Sequence, residues 1–118
     1  MKYMLLVCAD ASQVGPPPAA GEPAPPEPGP DSPINVWLDA VRDMRLDGSQ
    51  LLPPSDAKTV RVRDGETLLG DGPFAETKEV IAGYDILECA DLDEAIAMAA
   101  RHPVAQFGAI EVRPFWPE

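Results

Sequence analysis

Basic side chains are scarce in this chain: 9 lysines and arginines stand against 20 aspartates and glutamates, for a formal net charge of −11. A surface of that sign repels phosphate backbones and anionic headgroups, so nucleic acid and membrane surfaces are excluded as partners. Histidine occurs once and cysteine twice. Cys8 and Cys89 lie far apart in apolar surroundings with no Cys-x-x-Cys spacing. That excludes a zinc site and a disulfide framework, and two buried free thiols are expected. No apolar run approaches the roughly 18 residues that a membrane helix needs. The run from Tyr3 to Ala9 is seven residues before it meets Asp10, short even for the core of a signal peptide. A cytoplasmic protein is the expectation. There is no nucleotide-binding loop, nucleophile elbow or metal motif, and the acidic group Asp91, Asp93 and Glu94 lacks the glycine and spacing of a calcium loop. No cofactor and no metal are expected.

Proline, by contrast, is abundant, with 15 in 118 residues. Nine of the eighteen residues from Pro16 to Pro33 are proline. Such a stretch lacks the backbone donors and the apolar surface that folding needs. It reads as a loop insertion over about residues 11–33 of a single domain spanning 1–118, since a chain of this length builds one core. A PxxP ligand, with Pro23 and Pro26 or Pro25 and Pro28 as the pair, is the sharper reading, but no basic residue is there to orient it. Loop lengthening, which carries a modest entropic cost, accounts for the segment.

The remainder alternates strands and helices. Tyr3 to Cys8 is apolar at every position, so both faces of this first strand need cover and the strand belongs at the centre of its sheet. Asp31 or Ser32 caps a helix with Pro33 in its first turn. Ile34, Trp37, Leu38, Val41 and Met44 repeat there at helical spacing, and Gly48 ends the helix. Thr59–Arg63 alternates, Asp64-Gly65 supplies a tight turn, and Thr67–Leu69 returns as the second arm of a hairpin. A strand covers Ala82–Cys89, and Asp91 with Glu94 then starts a second helix with the stripe Leu92, Ala95, Ile96 and Ala99. His102-Pro103 closes it, and Gly108–Arg113 is the last strand. With one strand taken from the hairpin, this order predicts an α+β fold: a ferredoxin-like split βαβ, an antiparallel sheet with two helices on one face. Two helices cover one face only, and a second copy of the chain is expected on the other, making a homodimeric α+β barrel.

The segment Asp71–Glu79 reads Asp-Gly-Pro-Phe-Ala-Glu-Thr-Lys-Glu. This motif, the Met-Lys-Tyr opening, the Thr-Val-Arg-Val-Arg-Asp-Gly hairpin, the Asp-Leu-Asp-Glu-Ala helix start and the Glu-Val-Arg-Pro ending resemble the DGPF-motif branch of the YCII-related (YciI-like) family. The resemblance implies a small ferredoxin-like protein that dimerises through its sheet. In the wider family, a histidine in the first helix and an aspartate near the end of the first strand are proposed as an acid–base pair. Asp10 matches the aspartate, whereas the helix position falls near Trp37 and Leu38, and the chain's one histidine is His102.

Within the motif, Gly72-Pro73 makes a sharp turn and Phe74 is an apolar anchor. Carboxylates beside a lysine in a partly enclosed cleft can act as acid and base. The expected catalytic groups are Asp10, Asp71 and Lys78, with Phe74, Glu76 and Tyr84 as substrate contacts. The plainer reading of Lys78 is a solvated ion pair, of Asp10 a local cap, of Tyr84 a packing residue and of His102 a partner for helix-end carbonyls. Two functions follow. One is a cofactor-free acid–base enzyme or binder of a small organic molecule in a cleft between the sheet and the motif loop. The other is a regulatory or protein-interaction module beside a transcription system, since proteins resembling this one are commonly encoded near alternative sigma factors.

Overall fold

Strand β1 (Lys2–Asp10) is buried at every second residue, Tyr3, Leu5, Val7 and Ala9, and half-buried between them. The structure is a computed structural model and describes residues 1–14, 20–23, 27–73 and 79–117. Parts of the proline-rich segment and of the motif, including Phe74, Glu76 and Lys78, lie outside the described residues. Helix α1 (Pro33–Ala40) follows, then β2 (Arg45–Gln50), β3 (Lys58–Arg63), β4 (Glu66–Asp71), β5 (Glu79–Glu88), helix α2 (Leu92–Ala100) and β6 (Ala109–Pro114). The main sheet has the order β2-β5-β1-β6 with every neighbour antiparallel, so β1 is central as its composition requires. This is the ferredoxin-like α+β arrangement.

The fourth strand of that sheet comes from a segment expected to be helix. Helix α1 stops at Ala40, well before Gly48, and Arg45–Gln50 pairs with the edge of β5. The sequence Arg-Leu-Asp-Gly-Ser-Gln has no alternation, and Leu46, its one large apolar residue, is exposed at an irregularity in the pairing. Only the partner strand makes this segment extended. The expected hairpin does form, with Asp64 and Gly65 both at positive φ (51° and 77°). It stands apart as a two-stranded ribbon of β3 and β4 instead of lending a strand to the sheet.

Both helices start on local chemistry. Ser32 Oγ accepts the Asn35 N–H at 3.4 Å, and Asp91 Oδ1 accepts the Glu94 N–H at 2.9 Å. Asn35 Nδ2 also donates to the carbonyls of Pro28 and Gly29, tying the end of the proline-rich segment to α1. The core joins Tyr3, Leu5 and Leu87 of the sheet to Trp37 and Val41 of the first helical region and to Ala95 and Ala99 of α2. Leu92 and Ile96, expected in the buried stripe of α2, are exposed, because the face that meets the sheet is the alanine face. Trp37 Nε1 donates to the Met98 carbonyl at 2.9 Å and links the two helices.

Gly48 has a role different from helix termination. It lies opposite Asp85 on β5, and a Cβ there would overlap Asp85 Oδ1 and the Arg45 guanidinium. Gly48→Ala is therefore expected to lower unfolding stability by about 2–4 kcal/mol, the range of overpacking combined with a disturbed buried ion pair. Urea unfolding of the two proteins measures it, and an unchanged midpoint would show that β2 accommodates the methyl group.

Candidate functional site

The described members of the expected site occupy separate places. Asp10 ends β1 and caps the short 3-10 turn Ala11–Gln13: its Oδ1 accepts from the Ser12 N–H at 2.9 Å and from Ser12 Oγ at 2.7 Å. Asp71 ends β4 at the surface, paired with Lys58 across the ribbon. Tyr84 points its hydroxyl at Asp47 Oδ2, 3.2 Å away, and this hydrogen bond to a carboxylate raises the phenol above its ordinary range. Cys8 and Cys89 are free thiols, half-buried and buried respectively, and burial pushes both upward.

A groove of about 570 Å³ lies beside the start of the motif loop, where the expected cleft would be. Its wall is mainly apolar, with Leu51, Leu52, Pro73 and Ile81, and its acidic residues are Asp56 and Glu79. Neither Asp10 nor Asp71 lines it.

Polar side chains converge instead in a cavity of about 430 Å³ on the helix side of the sheet. Val7, Ile34, Leu38 and Val104 form apolar walls, and Arg45, Asp85 and His102 provide the charged and titratable groups. Of the expected residues, Tyr84 also borders this space, through its place next to Asp85 in β5, since strand alternation turns its side chain to the other face of the sheet. Asp85 stands on the core-facing side of β5, in phase with Leu87, and its side chain is 8% exposed. Arg45 Nε donates to its Oδ1 at 2.7 Å. Burial raises the Asp85 carboxyl, while the Arg45 hydrogen bond and charge, and then His102, pull it back. His102 is buried at 3% exposure and meets Trp37 edge-on, with ring centroids 4.6 Å apart. Its Nδ1 accepts the Val104 N–H at 3.0 Å, which leaves the proton of the neutral ring on Nε2. Burial lowers the imidazole below its ordinary value, and Asp85 opposes the shift.

The cavity thus holds a carboxylate, a guanidinium and a neutral imidazole among hydrocarbon walls, an arrangement able to bind a polar head and to hold or move a proton. Sequence reasoning missed Arg45 and Asp85 as site residues and read His102 as a partner for helix-end carbonyls, whereas it caps the turn that follows. The available signal was Asp85 itself, a carboxylate on the same strand face as Leu87 and Cys89. Among the described residues, no group of three or more His, Cys, Asp or Glu side chains is placed to hold a metal ion, and no helix is long and apolar enough to cross a membrane.

The lowered imidazole has a consequence for stability. His102 in the unfolded chain protonates near its ordinary value of 6.5, whereas in the fold it resists protonation to lower pH. Between those values the unfolded state binds more protons, so this contribution is complete above the ordinary value and is lost as pH falls through the lowered one. The raised Asp85 acts with the opposite sign: its contribution is complete below its ordinary value of 3.8 and is lost as pH rises through the raised one. His102→Gln is expected to flatten the decline in stability between about pH 7 and pH 5.5, as read from denaturant midpoints. Equal slopes in the two proteins would show that His102 titrates alike in both states.

Residues 1–118 match the family model of the YCII-related domain. The chain is similar to an uncharacterised protein of Rhizobium meliloti (strain 1021), 46% identical over 68 residues that cover 56% of this chain and 55% of the relative. The chain thus matches about half the length of that curated relative.

Proposed function

The chain belongs to the YCII-related family, and we propose that it binds a small organic molecule in the helix-side cavity, with His102 as the proton-handling group. The observation that carries this reading is the convergence of Arg45, Asp85 and His102 on one apolar space of about 430 Å³. That volume falls within the range of small-molecule sites. Arg45 and Asp85 would orient the polar head, and His102 Nε2 would donate to it or exchange a proton with it. Asp10 and Asp71, the described residues of the motif side, would then shape the loops.

Leu38→Trp tests the reading by filling the cavity from α1. A small-molecule library screened by thermal shift is expected to yield compounds that stabilise the natural protein, by about 2.7 kcal/mol at a hundredfold excess over Kd. Those compounds should lose most of their effect in the variant. Hits with equal shifts in both proteins would move the ligand out of this cavity.

The working unit would be a homodimer. Met4, Leu6, Tyr84 and Ile86 form a half-buried, largely apolar row on the sheet face away from the helices, which a second copy would cover. Light scattering is expected to give twice the 12.6 kDa chain mass, and Leu6→Asp to reduce it to one. A natural protein that scatters as a single chain at micromolar concentration contradicts the dimer. An interaction module is the second reading, and the ribbon favours it: Val60, Val62 and Leu69 lie on one of its faces and all are exposed.

A further inference from the structure

The polar groups of the helix-side cavity have already cancelled their own charges. Arg45 uses Nε on Asp85 Oδ1 at 2.7 Å, and among the described residues its two Nη nitrogens and Asp85 Oδ2 make no hydrogen bond. His102 uses Nδ1 on Val104, and Nε2 makes none. None of these atoms is a buried orphan among the described residues, so each retains access. Asp85 and His102 are both enclosed, and the cavity is a space that both residues line. A ligand there meets donors from Arg45 and His102 beside an acceptor from Asp85, within a site of no net charge.

Resting on the small-molecule reading above, we propose that this cavity selects neutral molecules carrying a hydrogen-bond donor next to an acceptor, such as a carboxamide on an apolar body, over carboxylates and ammonium ions of the same shape. A carboxamide N–H reaches Asp85 Oδ2 while its carbonyl accepts from Arg45 or His102, and the ion pair stays intact. A carboxylate sets a second negative charge beside Asp85 against a single guanidinium, and an ammonium ion has to share Asp85 with a guanidinium. Either way a charge is left buried without its partner. Val7, Ile34 and Leu38 take up the apolar body.

Phenylacetamide, phenylacetate and 2-phenylethylamine share a body and differ in the charge of the head. Calorimetric titration at neutral pH is expected to show phenylacetamide binding at least about tenfold more tightly than either ion, a difference of about 1.4 kcal/mol. Its binding should shift the indole N–H resonance of Trp37, which packs against His102. Phenylacetate or 2-phenylethylamine binding as tightly as the amide overturns the proposal while leaving a small-molecule cavity in place. Amide binding that leaves the Trp37 resonance unmoved also overturns it, by placing the ligand elsewhere. Failure of all three probes to bind overturns this proposal, while the library screen with Leu38→Trp decides the small-molecule reading separately.

Discussion

A carboxylate on the core side of an interior strand is the constraint from which much of this structure follows. Asp85 occupies a position that alternation assigns to an apolar residue, and burying it alone would be prohibitive. Arg45 meets it from the edge strand, and that requirement brings with it the early end of α1, the extended course of Arg45–Gln50 and the missing side chain at Gly48. The ion pair is therefore an organising device for the fourth strand. Replacing such a pair with hydrocarbon often leaves stability unchanged or raised, so its value here lies in fixing where β2 docks and in furnishing the cavity with polar atoms.

Trp37 and His102 provide the complementary wall. The indole reaches across the core to the Met98 carbonyl, and the alanine face of α2 lets that helix lie close enough to receive it. His102 is then held between the indole and the turn it caps, with one nitrogen committed and the other left for the cavity. A residue placed just beyond a helix end thus acquires an interior environment through side chains remote in sequence.

What was legible in the sequence was the local chemistry. Ser32-Pro33, Asp91 with Glu94, and Asp64-Gly65 act within a few residues of themselves, so the helix starts and the hairpin turn could be read directly, as could the central place of β1. The β2 strand was hidden because Arg45–Gln50 carries no periodic signal and is extended only by pairing with β5. The separation of the ribbon from the main sheet is not legible, because a well-formed hairpin does not reveal whether its edges are used. Asp85 is in phase with Leu87 and Cys89, but its meaning depends on an arginine whose own segment carries no strand signal. The environment of His102 depended on Trp37 in the same way.

The ribbon also divides the molecule electrically. Between Lys58 and Asp71 the three basic residues Lys58, Arg61 and Arg63 balance the three acidic residues Asp64, Glu66 and Asp71, so the whole charge of −11 resides on the rest of the chain. An acidic body joined to a neutral, apolar-faced arm repels other acidic molecules everywhere except at that arm. At low ionic strength the repulsion extends tens of ångströms and channels encounters toward the ribbon, and near physiological salt, with screening over about 8 Å, that guidance fades. The ribbon's apolar face is therefore the approach of least electrostatic work, and the protein's crowding behaviour in solution should change with salt through the body alone.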